Sequence, residues 1–270
     1  MLLTKIIDRD ITLIKSLDKK SNITGISCDS RKIKPGMIFA AIKGNQHDGI
    51  KYTKDLIKLG INTFLCEKEQ TKNIDNKNIN LLISKNVRLA LAKISKKFYP
   101  KQPKNITAIT GTNGKTSVAH YINYILMKNN LSPASIGTLG IKMRKNIKIS
   151  NLTTPDPVTL HKNVDNLKKK GIEYLALEAS SHALHQHRLD ALNINCAVFT
   201  NLSRDHLDYH LSIKSYFKCK TRLFSEILGK GGTAIVNVED RYGKKILEIC
   251  KEKKIKTLSY GVNNGDWTAS

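Results

Sequence analysis

The sequence predicts an α/β protein of two domains: a small mixed α/β domain, then a mainly parallel-sheet domain built on a phosphate loop. Three observations carry this. From residue 105 onward, short apolar runs of strand length alternate with helical stretches, the pattern of a parallel sheet covered on both faces. A glycine-containing turn, Gly111 to Gly114, joins one such run to an amphipathic helix. Pro100 and the polar stretch 101–104 set the first hundred residues apart. Domains over 1–100 and 105–270 therefore flank a linker at 101–104, a division that 270 residues allow.

In the first domain, residues 23–29 and 37–42 read as short strands separated by the turn Lys34-Pro35-Gly36. Residues 52–59 have helical spacing and end at Gly60, a C-cap signal. Strands follow at 61–66 and 80–84, with the polar stretch 67–78 between them read as a loop. Residues 87–99 carry Leu, Ala, Ile and Phe at helical spacing and stop at Pro100.

In the second domain, a β-run at 106–110 leads through the turn into a helix over 116–129. Its apolar side carries Val118, Tyr121, Ile122, Ile125 and Leu126. Later strands are expected at 174–177, 194–200 and 233–238, with helices at 158–169 and 213–228. Leu223 and Phe224 belong to the core side of that last helix.

Net charge is +24, but it comes from 38 lysines against eight arginines spread along the whole chain. A nucleic-acid reader would concentrate arginine or show a reading module, so no nucleic-acid partner is expected. No apolar run approaches the roughly 18 residues of a membrane span. The N-terminus lacks the basic start and apolar core of a secretion signal, so a cytoplasmic protein is expected. The five cysteines, Cys28, Cys66, Cys196, Cys219 and Cys250, show no paired spacing and read as free thiols.

Chemistry concentrates in the second domain. In Thr110-Gly111-Thr112-Asn113-Gly114-Lys115-Thr116 the first glycine falls one position late for the full Walker pattern. The mechanism still fits: two glycines permit a tight turn with inward N–H groups, and the following helix points its positive end there. Lys115 can reach between phosphates, and the Thr116 hydroxyl suits Mg²⁺. Glu178, in Glu178-Ala179-Ser180-Ser181-His182, sits at the carboxyl end of a strand, where ligands bind open α/β sheets, and offers a hard oxygen to the same cation. Zinc is disfavoured despite His185 and His187. A polar run, Asn201-Leu202-Ser203-Arg204-Asp205-His206-Leu207-Asp208-Tyr209-His210, leaves another strand.

Taken in order, these segments resemble the Mur ligase family. The resemblance rests on Asp29-Ser30-Arg31 with Lys34-Pro35-Gly36, Gly44 and His47-Asp48-Gly49, and on residues 111–116, Thr153-Thr154-Pro155-Asp156 and 178–182. The run 201–210, Lys220, and Asn237 with Asp240 complete it. It is nearest to the MurE-type ligases, which add the third amino acid to UDP-N-acetylmuramoyl-L-alanyl-D-glutamate. Glu239, where an aspartate is more usual, is a departure.

The resemblance implies that Ser27, Ser30, Gly44 and His47 hold the uridine diphosphate end. Thr153, Thr154, Ser180, Gln186 and Arg188 would hold the muramoyl-dipeptide. Gly111, Thr112, Asn113, Gly114, Lys115, Thr116 and Ser117 would form the ATP loop. Lys115, Glu178, His206 and Lys220 would be the catalytic set, with Thr116, Glu178, His206 and a carbamylated Lys220 on Mg²⁺. The implied reaction uses ATP to make an acyl phosphate, which the amine of diaminopimelate or lysine then attacks. His182 and His206 would position groups, not form a Ser–His pair. The family's three domains extend further than this chain, so an incomplete central domain, an absent C-terminal ligase domain and a separate polypeptide supplying it are expected. The chain alone is then expected to be inactive, and its last hundred residues marginal in stability. A non-catalytic nucleotide- or precursor-binding remnant, or a D-alanyl-D-alanine-adding ligase, is the alternative.

Overall fold

The computed structural model describes residues 1–44, 48–74, 78–144, 147–149 and 152–268. The chain divides into two compact units, Met1–Pro100 and Lys101–Ser270.

In the first unit β1 (Thr12–Lys15), β2 (Gly25–Ser27), β3 (Met37–Ala40), β4 (Thr63–Cys66) and β5 (Asn80–Ile83) form a sheet of order β1-β5-β4-β3-β2. β2 to β5 are parallel, and β1 is antiparallel on the edge. Helices α1 (Thr53–Lys58) and α2 (Val87–Phe98) accompany it. Phe39, Phe64, Leu56 and Leu81 share one core. Sequence reading missed β1, whose alternation is weak. Its end is tied by the buried Asn80, whose Oδ1 accepts the Leu17 N–H at 2.9 Å and whose Nδ2 donates to Thr63 Oγ1 at 3.2 Å.

The stretch read as a loop after β4 contains a 3₁₀ helix, Lys68–Asn73. Glu67 N–H donates to Gln70 Oε1 at 2.9 Å, and Gln70 Nε2 donates to Asp48 Oδ1 at 2.8 Å. The Glu-x-x-Gln spacing of a capping box was the signal.

Among the described residues, the second unit holds nine strands. In chain order its elements are β6 (Asn105–Thr110), α3 (Lys115–Lys128), β7 (Pro133–Gly137), β8 (Gly140–Met143), β9 (Ile147–Lys148), α4 (Pro157–Lys169), β10 (Tyr174–Glu178), α5 (Ser181–His185), β11 (Ile194–Phe199), α6 (Leu207–His210), α7 (Ile213–Arg222), β12 (Leu228–Asn237), α8 (Arg241–Glu252), β13 (Lys256–Gly261) and β14 (Trp267–Thr268). The sheet order is β14-β13-β12-β11-β6-β10-β7-β8-β9. It is parallel from β14 to β7, and antiparallel pairing enters only at β8 and β9. β6 lies centrally, with Ile109 aligned to Glu178 and Thr110 to Phe199. The loops after β6, β10, β11 and β7 therefore leave the same end of the sheet.

A large core including Leu160, Leu177, Phe199, Leu223, Phe224, Val236 and Ile246 fills one face. A smaller one, Ile109, Ala119, Ala176 and Val198, lies under α3.

The helix expected over 213–228 ends at Arg222 and passes through a π turn, Leu223–Ile227, into β12. The wider turn lets Leu223, Phe224 and Ile227 all face inward. Hairpin β7–β8, helix α8 and strands β13 and β14 were not read from the sequence. α8 was legible: Tyr242, Ile246 and Cys250 recur every four residues and are buried.

Asp240 caps α8, accepting the Tyr242 and Gly243 N–H groups at 2.7 and 2.8 Å, while its second oxygen accepts the Leu202 N–H at 3.0 Å. Asp240→Ala is expected to lower stability by about 2 kcal/mol, the upper end for losing a cap. Denaturant titration checks it, and an unchanged midpoint would refute it.

Cys66, Cys219 and Cys250 are buried, and all five thiols are free. No described helix is long and apolar enough to cross a membrane.

Candidate active site

The turn between β6 and α3 is built around close backbone packing. Gly111 has φ +150°, and a Cβ there would lie 1.8 Å from Thr200 Oγ1, so only glycine fits. Thr200, the first residue after β11, donates its hydroxyl to Asn113 O at 2.6 Å. Asn201 Oδ1 accepts the Asn113 N–H at 3.0 Å, and Asn201 O accepts the Thr112 N–H at 2.9 Å. The run after β11 is thus the wall against which the loop is shaped. Helix α3 starts at Lys115, directing its N-terminus at the same space.

Lys115 is half-buried, and its Nζ donates to Gly111 O at 2.9 Å and Thr112 O at 2.7 Å. Burial lowers its pKa, while Glu178 and Asp205 act in the opposite sense. Lys220, on α7, is 1% exposed and also donates to Gly111 O, at 2.7 Å. Its ammonium lies 4.5 Å from the centre of the Tyr216 ring, one helical turn earlier. Burial, then the neighbouring Lys115 charge, pushes Lys220 down to about 7. Two amines therefore converge on one turn of backbone, and one of them is substantially neutral near physiological pH.

Glu178 closes the other side. It is 2% exposed, and its carboxylate accepts the Thr116 hydroxyl at 2.9 Å, the Thr138 N–H at 2.9 Å and the Thr138 hydroxyl at 3.2 Å. Thr138 also contacts Thr153 at 3.2 Å between hydroxyl oxygens.

A cleft of about 260 Å³ opens among Thr112, Asn113, Gly114, Lys115, Thr116 and Ser117, with Thr138, Thr153, Glu178, Ser180, Ser181, His206, Tyr216 and Lys220 completing its wall. A larger cleft, about 600 Å³, lies in the first unit. Its wall carries Arg9, Lys68 and Lys85 against Asp10, Glu67 and Glu69, charges that offset one another and favour no anion. The smaller cleft holds the chemistry.

His206 has a left-handed backbone, φ +50°, and its ring meets His182 at 5.0 Å between centroids. His182 stacks on Tyr209 at 4.1 Å. Burial, then His206 and Arg188, lowers His182. Burial, then His182, His185, Lys220 and His206, pushes the buried His210 down to about 4. The lowered His182 and His210 rings pack here as neutral groups at neutral pH.

The residues expected to hold the muramoyl-dipeptide form a connected strip beside the cleft. Thr154 donates to Glu178 O at 2.7 Å and to Ser180 Oγ at 3.3 Å. Arg188 Nη1 donates to Thr154 O at 2.6 Å, and its other nitrogens reach Gln186 Oε1. Gln186 Nε2 donates to the Tyr209 hydroxyl at 3.0 Å. Thr153 and Ser180 line the cleft, whereas Thr154, Gln186 and Arg188 are not part of its lining.

In the first unit, Ser27 ends β2, and its hydroxyl donates to Asp29 O and accepts the Asp29 N–H, each at 3.0 Å. Arg31 forks onto Asp29 and holds its carboxyl down to about 2. Ser30 is half-buried, and Gly44 follows β3. His47 lies outside the described residues.

Thr138, Thr200 and Tyr216 were missed by sequence reading. Tyr216 stands four residues before Lys220 on one helix, which puts both on one face. Thr138 lies in a hairpin turn with no comparable signal.

Residues 109–270 match the model of the Mur ligase middle domain. The chain belongs to the Mur ligase family. Its residues 22–99 also match the Mur ligase family catalytic domain. Curated relatives of this Mur ligase chain include the UDP-N-acetylmuramoyl-L-alanyl-D-glutamate--2,6-diaminopimelate ligase of Bradyrhizobium diazoefficiens, 36% identical over 90% of this chain and 49% of that protein. The ligase of the same name from Rickettsia bellii is 39% identical over 93% and 52%. A solved structure of a ligase with that name superposes with a TM-score of 0.80 at 27% identity, covering 98% of this chain and 53% of that one. MurF of Thermotoga maritima in complex with ADP shares the fold, with a TM-score of 0.58 at 19% identity and coverage of 94% and 53%. The chain spans about half the length of the curated relatives it matches.

Proposed function

We propose that the chain carries the nucleotide- and precursor-binding part of an ATP-dependent ligase that adds meso-diaminopimelate to UDP-N-acetylmuramoyl-L-alanyl-D-glutamate. The observation behind this reading is the convergence of Lys115, Lys220, Thr116 and Glu178 where parallel strands end, in a chain whose relatives bear that ligase's name. A cytoplasmic location accompanies the use of ATP.

In this reading the substrate's γ-carboxylate attacks the γ-phosphorus of ATP, releasing ADP and leaving an acyl phosphate. The amine then attacks the acyl carbon and displaces phosphate. The first step brings two anions together, and the Lys115 ammonium beside a helix N-terminus offsets that repulsion. The donor set fits Mg²⁺: Thr116 and Glu178 offer adjacent hard oxygens.

Thr116, Glu178, His206 and a carbamylated Lys220 would hold Mg²⁺, which supplies charge neutralisation on the transferring phosphoryl group. Carbamylation needs a neutral amine, and the burial that brings Lys220 down to about 7 provides one. Thr153, Thr154, Ser180, Gln186 and Arg188 orient the dipeptide. Ser27, Ser30, Gly44 and His47 take the uridine diphosphate end.

Calorimetry with Mg·ATP and with UDP-muramoyl-dipeptide, followed by an assay for diaminopimelate-dependent phosphate release, tests the reading. Binding of both ligands is the expected result. Turnover, by the chain alone or after adding a polypeptide with the rest of a ligase, establishes catalysis. Binding without turnover in either condition favours a binding remnant, and binding of neither ligand refutes the proposal.

A further inference from the structure

Helix α7 ends on a largely covered cationic side chain that the phosphate chemistry does not use. Arg222 stands two residues beyond Lys220, and its side chain is 13% exposed. Its Nη1 donates to Leu184 O, and its Nη2 donates to Asp190 Oδ1 at 2.9 Å. Asp190 is 8% exposed, and its Oδ1 also lies 3.0 Å from His187 Nδ1. Burial would raise the Asp190 carboxyl, but His187 and Arg222 outweigh it and hold it ionised. The main chain between Leu184 and Leu192 is not regular: His187 and Ala191 have φ of +56° and +67°. Left-handed backbone at non-glycine residues persists only where surrounding contacts enforce it.

The same strap carries Gln186 and Arg188, with Arg188 donating to Thr154 O. A single helix thus touches both parts of the site. Lys220 grips the phosphate loop through Gly111 O, and Arg222 grips the strap at Leu184 and Asp190.

We infer that Arg222 and Asp190 form a half-buried clasp that sets the strap, and through it Arg188 and Gln186, in register for the carboxylate-bearing precursor. Arg222 is a positioning residue: it acts through Arg188 and touches neither nucleotide nor precursor. The inference rests on the reading that Arg188 binds precursor.

The test uses the full 270-residue chain with Arg188→Ala, Arg222→Met, the double variant, and Arg222→Lys as the milder change. Calorimetry is run with UDP-muramoyl-dipeptide and, separately, with Mg·ATP. Arg222→Met is expected to weaken precursor binding about tenfold, keep ATP affinity within about twofold, and cost clearly less in the Arg188→Ala background than in the unsubstituted chain. Arg222→Lys keeps the charge but not the planar fork, and recovers only part of the loss. Additive losses, or equal losses for both ligands, would overturn the clasp. An Arg188→Ala variant with unchanged precursor affinity instead refutes the underlying reading of Arg188.

Hydrogen exchange then judges the clasp without any ligand. The amides of Arg188 and Leu192, bonded to Ala183 O and Leu189 O, should exchange faster in Arg222→Lys and Arg222→Met. The Thr112 amide, bonded to Asn201 O, should not. Unchanged exchange across the strap counts against the proposal as decisively as additive binding losses.

Discussion

Gly137→Ala is expected to remove Mg²⁺-dependent nucleotide binding, with affinity falling about 100-fold or more, the scale of losing one electrostatic element from an active site. The cause is space. Gly137 ends β7, and a Cβ there would lie 1.9 Å from Glu178 Oε1 and 2.4 Å from its Cδ. The carboxylate must swing away, forfeiting the Thr116 hydroxyl and both Thr138 donors. Overpacking of this kind destabilises by roughly 1–3 kcal/mol. The causal link is checked by adding Gly137→Ala to a Glu178→Ala variant, where no further loss of nucleotide affinity should follow. A single Gly137→Ala variant that binds Mg·ATP normally would show that Glu178 has no part in the nucleotide site.

The second large effect is expected at Lys220. Lys220→Met should lower precursor-dependent phosphate release by about 10²–10³-fold, in the assembly that gives turnover. It should also abolish a ¹³C carbamate resonance seen with labelled bicarbonate in the unsubstituted chain. Its effect on stability has the opposite sign. Lys220 is brought down to about 7 by burial, then by Lys115, from an ordinary 10.5. Between those two values the unfolded chain holds a proton that the folded chain has released, so stability rises with pH across that window. Below about 7 the folded chain must bury a charged amine. Methionine removes that penalty while Lys115 still donates to Gly111 O. The variant should therefore melt higher than the unsubstituted chain at pH 6 and show a flatter pH profile. Equal pH profiles for the two would sink this account of Lys220.

Much of the site could be read from the sequence because its parts come from short contiguous segments, each following a strand. Gly111, Lys115 and Thr116 are set by one turn, and Glu178 by the last residue of a strand. What brings them together is strand order, which a single sequence does not display. β6 lies between β10 and β11, so the loops after three strands distant in sequence become neighbours. Thr138 escaped notice for the same reason: its value comes from a hairpin that folds beside Glu178.

The long helix read over 213–228 failed on a different point. Periodicity matched the buried residues, but a π turn keeps the same residues inward while ending the α-helix at Arg222. Glu239, unusual in its motif, is accounted for by reach. Its Oε1 accepts the Asn263 N–H at 2.9 Å and lies 3.4 Å from the Asn264 nitrogen.

The two carbonyls held by Lys115 set a condition on what the turn can select. An incoming phosphate does not simply add contacts there. It exchanges with Gly111 O and Thr112 O for the same ammonium, so each bond it gains is set against one released. A lone orthophosphate draws little net advantage from such an exchange. A chain of phosphates that extends toward Thr116 and Glu178 gains from groups a single phosphate leaves untouched. Under the proposed function, the lysine would make the turn a gauge of length, favouring triphosphate over a single phosphate.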